Sequence, residues 1–164
     1  MVAVLALSIV CITGVHSSGQ AMTATPFAFR SGQSMYIVAF CRGREATLAD
    51  SSLGTITPVD YTSLELGAET KVREKIEEWK YFKVADKASE ADFIFLVRID
   101  DNAMEGLAVP ITAYREHFKA NFDLDALRES ANGRYLAGPL KIPTLGRLTD
   151  RLVKDFRSKV GQGR

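Results

Sequence analysis

The run ADFIFLVRI, residues 91–99, constrains the fold most strongly, because it is apolar at nearly every position. A strand with one solvated face alternates apolar and polar residues, whereas this run has apolar residues on both faces. It therefore predicts a central strand that is covered on both sides. A chain of 164 residues is long enough to bury such a core within one domain.

Periodic patterns on both sides of this run predict the remaining elements. Residues 35–40, MYIVAF, form a short apolar run typical of a buried strand, and residues 81–86 alternate as a second strand does. Between them, Thr62 and Glu65 match a capping box, in which each side chain satisfies a backbone N–H at a helix start. This helix presents an apolar stripe at helical spacing, made of Val72, Ile76 and Trp79.

The last third of the chain is mostly helical in its pattern. Residues 106–111 favour one more strand, after which Asp123 is placed to cap a helix and Pro143-Thr144 to open the final one. We predict a single α/β domain, with α+β as the alternative. Its mixed sheet has about four strands, packed by an amphipathic helix and by the C-terminal helices.

The N-terminal residues follow the pattern of an export signal. Val2–Val15 is almost entirely apolar, and small residues at Gly19 and Ala21 occupy the −3 and −1 positions of a cleavage site. The apolar run is shorter than the 20 or so residues that span a bilayer, so no transmembrane helix is predicted in the mature chain. The positive residues that usually precede such a run are absent, and the alternative is a buried N-terminal strand of a cytoplasmic domain.

We therefore predict a signal peptide at residues 1–21, a linker at 22–33, the domain at 34–160 and a disordered tail at 161–164. The predicted location is periplasmic or extracellular. Lipid anchoring at Cys11 is not favoured, because the bulky Val10 precedes it where a small residue is needed. Cys41 is then the one cysteine of the mature chain, either a small buried side chain or a free thiol.

Charge and motif content argue against several functions. The net charge is +1, from 21 basic and 20 acidic residues, which gives no electrostatic basis for binding nucleic acid. The glycines at 133, 138 and 146 fit neither phosphate-binding spacing, so no cofactor is predicted.

Two groups of residues are candidates for chemistry. Asp100, Asp101 and Glu105 follow the central strand and could hold Mg²⁺ or Ca²⁺, but they lack calcium-loop spacing, and a solvated turn is the favoured interpretation. His117 could act as a general base, but no nucleophile is tied to it by the sequence. We assign no catalytic or metal-binding residue on these patterns.

Two segments are predicted as interaction surfaces, the loop 42–61 and the segment 133–147. In the second, a candidate surface consists of Arg134, Tyr135, Lys141 and Arg147, since arginine and tyrosine are favoured at protein interfaces. The alternative for this segment is a loop between two helices, with its apolar side chains, Tyr135, Leu136 and Leu140, packed inward.

Residues 34–100 resemble bacterial envelope domains. The resemblance lies in SMYIVAF at 34–40, a helix ending in Glu78-Trp79, and YFKVADKASEADFIFLVRI at 81–99. This arrangement is similar to the amino-terminal domain of TolB and to CsgG-like assembly lipoproteins. The resemblance implies an envelope domain that binds other proteins and has no active site.

The main hypothesis is therefore an exported, non-enzymatic α/β domain whose partner is another envelope protein or component. A first alternative is a small exported hydrolase or metal-dependent enzyme that uses Asp100, Asp101, Glu105 or His117. A second is a cytoplasmic domain with its N-terminus in the core.

Overall fold

Seven strands and four α-helices are present in a computed structural model that describes residues 28–45, 48–50, 56–58, 60–120 and 123–162. The strands are β1 (Ser34–Cys41), β2 (Leu48–Asp50), β3 (Ile56–Pro58), β4 (Lys83–Val84), β5 (Phe93–Ile99), β6 (Met104–Pro110) and β7 (Arg134–Ala137). The helices are α1 (Ser63–Trp79), α2 (Ile111–Ala120), α3 (Leu124–Ser130) and α4 (Leu145–Gln162).

The main sheet is mixed and open, with the strand order β4-β1-β5-β6-β7. β1 pairs in parallel with β4 and β5, whereas β6 is antiparallel to β5 and to β7. The run at 93–99 is the middle strand and is buried on both faces, which confirms the prediction from its composition. β2 and β3 form a separate two-stranded sheet inside the 42–61 loop.

Helices cover both faces of the sheet, so the domain has three layers. Alternate β1 residues, such as Ile37, face a core shared with α1 and α4. The residues between them, such as Val38, face a second core shared with Tyr114 of α2 and Leu127 of α3. The α/β class of the prediction is confirmed.

An aromatic cluster fills the core beneath α1 and α4, with Phe156 at its centre. The Phe156 ring stacks on Phe95 at a centroid distance of 4.8 Å and on Phe82 at 5.6 Å. Tyr135 meets it edge-on at 4.6 Å and Phe29 at 5.7 Å. Phe29 belongs to the predicted linker, so that segment contributes a side chain to the core.

Side chains cap three helices at the residues that the sequence indicates. The capping box of Thr62 and Glu65 is present at the start of α1. Asp123 accepts hydrogen bonds from the N–H groups of residues 125 and 126, at 2.9 and 3.3 Å. Thr144 Oγ1 accepts one from the Arg147 N–H at 3.3 Å. Each cap satisfies donors that the first helical turn leaves without a partner.

The sheet has five strands instead of about four. The additional strand is β7, in a segment for which the sequence offered an interaction surface or a loop between helices. Tyr135 points into the core, 2% exposed, while Leu136 is 50% exposed and not packed inward. α4 also closes the outer edge of β7. Asp155 Oδ2 accepts from the Leu136 N–H at 2.9 Å, and Lys159 Nζ donates to the Arg134 carbonyl at 3.0 Å.

Several predictions fall wholly or partly outside the described residues. These are the signal peptide at 1–21, the linker up to residue 27, positions 46–47, 51–55 and 59 of the predicted 42–61 interaction loop, and the end of the tail, residues 163–164. The first two residues of the predicted tail, 161 and 162, belong to α4. Among the helices of the described residues, none is both long and apolar enough to cross a membrane.

Candidate functional site

A cleft of about 530 Å³ lies at the carboxyl ends of β1 and β5. After β1 the chain passes through α1 to β4 on one side of β1, while β5 pairs on the other side. Such a reversal in strand order is the usual position of a binding crevice in an open α/β sheet. The cleft is lined by Cys41, Arg42, Leu64, Ile99, Asp100, Asp101, Asn102, Pro143, Thr144, Leu145 and Leu148.

Glu65 holds one wall of this cleft together. Its fully buried carboxylate accepts from the N–H and the hydroxyl of Thr62, at 2.9 and 2.8 Å. The other oxygen accepts from the Cys41 N–H at 2.8 Å and lies 3.1 Å from Arg44 Nε. Burial alone raises the pKa of a carboxyl group, but these hydrogen bonds and Arg44 hold the pKa of Glu65 below its usual value. The residue is therefore ionised and fixes the start of α1 to the end of β1.

Cys41 lies beside this carboxylate and lines the cleft. Burial, with the charge and hydrogen bond of Glu65, raises the pKa of its thiol. A thiol is a nucleophile only as the thiolate, so Cys41 is an uncharged side chain at neutral pH. Of the two alternatives that the sequence left open for Cys41, the structure shows a free thiol that is partly buried.

The opposite wall is the turn between β5 and β6. Asp100 lies 3.1 Å from Arg98 Nη2 and 3.8 Å from Arg42 Nε, so its charge is compensated on two sides. The Asn102 carbonyl accepts from the Leu140 N–H at 3.0 Å, which ties the turn to the segment before α4. Asp101 is exposed at the mouth of the cleft.

Glu105, the third candidate metal ligand, is on β6 and is 3% exposed. Its carboxylate is surrounded by three guanidinium groups, with Arg128 at 2.7 Å, Arg98 at 3.3 Å and Arg134 in direct contact. Burial raises the pKa of Glu105, but the arginines outweigh burial and lower it below the usual value. A carboxylate neutralised in this way is a structural ion-pair centre. Asp100, Asp101 and Glu105 thus form no metal-ligand set, and none of three or more residues occurs elsewhere among the described residues.

His117 has a partner that the sequence did not reveal. Its Nε2 lies 2.7 Å from the Ser130 hydroxyl oxygen, in a contact that joins α2 to α3. A serine bonded to a histidine is also the first requirement of a serine nucleophile. The two residues are thirteen positions apart on different helices, so no local motif could indicate the contact. Neither residue lines the cleft.

The four residues of the predicted interaction surface separate in the structure. Tyr135 is a core residue, so its ring is not available to a partner, which corrects its assignment to that surface. Arg134 contacts Glu105. Lys141 and Arg147 stay together and line a second groove beside α4.

These features define an α/β domain with an open mixed sheet and a cleft at the point where its strand order reverses. Comparison with protein-family models, with curated proteins and with solved structures found no match for the chain.

Proposed function

We propose that this chain is an exported, non-enzymatic α/β domain that binds another protein or component of the cell envelope. The N-terminal pattern of residues 1–21 supports export, with cleavage near Ala21. The resemblance of residues 34–100 to TolB-like and CsgG-like domains supports the same location.

The composition of the cleft carries the binding part of the proposal. The two segments predicted separately as surfaces, 42–61 and 133–147, both contribute to it, through Arg42 and through residues 143–145. Apolar side chains line it next to charged ones, and Leu64 is 45% exposed there. Such a mixture suits a protein partner, whose surface has both kinds of group.

The charges around the cleft support binding over catalysis. Glu65 is committed to Thr62, Cys41 and Arg44, while Asp100 is paired through its Oδ2 with Arg98 at 3.1 Å. A general acid or base needs a pKa near the working pH, whereas the pKa of Glu65 is lowered. These groups fix the walls of the cleft.

Photo-crosslinking in intact cells tests the binding partner. We expect a photoreactive residue at Arg42 or Asp101 to capture a discrete envelope protein. The same residue at Glu90, which is exposed beside the amino end of β1, serves as the control and should capture nothing specific. Equal capture from all three positions, or none from the cleft, contradicts binding at the cleft.

Intact mass in fractionated cells tests export. The expected species begins at Met22 and is found in the envelope or the medium. A full-length chain in the cytoplasm contradicts the export proposal.

The contact between His117 and Ser130 favours a second candidate, a small serine hydrolase. This candidate predicts that a fluorophosphonate probe labels Ser130 and that His117→Ala abolishes the labelling, because the imidazole must accept the hydroxyl proton. Thr70→Ala is a control, since that hydroxyl donates to the Leu66 carbonyl at 2.8 Å and has no imidazole partner. Absence of labelling at Ser130 would contradict the hydrolase candidate and leave the His117–Ser130 contact as a structural link between α2 and α3.

A further inference from the structure

Four basic side chains lie along one surface at the start of α4. Arg147, Arg151 and Lys154 are four and three residues apart, a spacing that places them in one row on a helix. The row extends for about 10 Å along the helix axis. Lys141, from the segment before α4, lies at its end, and all four residues are exposed.

The charges of this row are not neutralised by neighbouring residues. Within the described ranges, none of the four side chains has an ion pair, while the two aspartates of α4 are engaged elsewhere. Asp150 pairs with Lys75, and Asp155 lies 2.8 Å from Lys159. The net charge of the whole chain is only +1, so this positive surface is a local segregation of charge.

A groove of about 610 Å³ adjoins the row. It is formed by residues 139–142 and the first turns of α4, and it includes Lys141, Arg147 and Arg151. Ile142 lies in this groove and is 69% exposed, the most exposed of the large apolar side chains described. We call the groove and the row together the basic groove.

We propose that the basic groove binds an acidic segment of another protein. The segment lies along α4 with its carboxylates on Arg147, Arg151 and Lys154, and it places an aliphatic side chain on Ile142. The inference rests on the proposed function only in that the partner is a protein, since this surface is separate from the cleft.

Charge and shape favour this occupant over two others. No acidic residue precedes Glu45, so the N-terminal segment of this chain cannot supply the carboxylates. A lipid surface is flat, whereas the basic groove is concave. A narrow peptide segment can enter such a groove.

Peptide selection against the purified full chain tests the proposal. We expect a displayed library of random peptides to yield sequences rich in Asp and Glu around one aliphatic residue. The variant Arg147→Glu/Arg151→Glu/Lys154→Glu should bind the selected peptide at least about tenfold more weakly, since three attractions to its carboxylates become repulsions. The control, Arg30→Glu/Lys71→Glu/Lys83→Glu, makes the same change in net charge at exposed positions and should bind within about twofold.

Each other outcome overturns the proposal. Selected peptides without acidic residues, or equal loss in both triple variants, exclude recognition by this row. Binding to phosphatidylglycerol vesicles but not to peptides would show that the surface binds membranes. Self-association that is lost in Arg147→Glu/Arg151→Glu/Lys154→Glu would show that it binds a second copy of this chain. Arg147→Gln/Arg151→Gln/Lys154→Gln repeats the test if charge reversal prevents folding. The assay uses purified protein in solution, so its outcome does not depend on whether the chain is exported or binds a partner at the cleft.

Discussion

Glutamine in place of Glu105 is expected to lower the free energy of unfolding by about 3 kcal/mol, because the partly buried Arg98 and Arg128 and the more exposed Arg134 lose their shared counter-ion. Arg98, Arg128 and Arg134 come from β5, α3 and β7, so the loss also loosens the link between these elements. Urea unfolding at neutral pH measures the change. Glu116→Gln, at an exposed position, is the control and should change stability by less than about 0.5 kcal/mol.

The effect of Glu105→Gln is expected to depend on pH. The pKa of Glu105 is lowered in the fold, so its contribution is complete above the unfolded value, about 4.3. It is lost as the pH falls through the lower folded value, where the carboxylate becomes protonated. The difference between the two proteins should be largest at neutral pH and narrow below about pH 4. A difference that stays constant down to the acid transition would contradict the ion-pair account.

Phe156→Ala is the second large effect, expected to lower the free energy of unfolding by about 4 kcal/mol. The ring is fully buried and contacts Phe29, Phe82, Phe95 and Tyr135, so its removal leaves a cavity between α4 and the sheet. A lower midpoint of urea unfolding would measure the loss of stability, and a weaker near-ultraviolet circular dichroism signal would show looser packing of the aromatic cluster.

Leu66→Ala is the matched control for Phe156→Ala. Leu66 is 53% exposed on α1. Its truncation should lower the free energy of unfolding by less than about 0.5 kcal/mol, because this side chain buries little apolar surface when the chain folds. Similar losses in the two variants would mean that the core beneath α4 is not closely packed.

The sequence predicts those elements whose identifying pattern lies within a few consecutive residues. The 93–99 strand is apolar on both faces, and the Thr62–Glu65 capping box consists of residues close in sequence. β7 was not predicted, since four residues between Gly133 and Gly138 resemble a loop. Its alternation of buried Tyr135, exposed Leu136 and buried Ala137 is a strand signal, but a short one.

The sites depended on contacts that no local pattern encodes. The sequence indicates that Glu65 caps α1, but not that its second oxygen binds Cys41 at the end of β1. Glu105 lies in a strand beside buried Met104 and Leu107, and a carboxylate in such a strand needs a charged partner. That signal was present, but the partners come from three different elements. Only the folded chain identifies them.

The side chains that cover the edge of β7 protect this chain from edge-to-edge association with other copies. A free edge strand offers N–H and C=O groups on which another chain can extend the sheet, a common beginning of aggregation. Here Asp155 occupies the outward N–H of Leu136, and Lys159 occupies the carbonyl of Arg134. An incoming strand would have to displace both side chains, which also pair with each other. Strand addition at the β7 edge is therefore disfavoured.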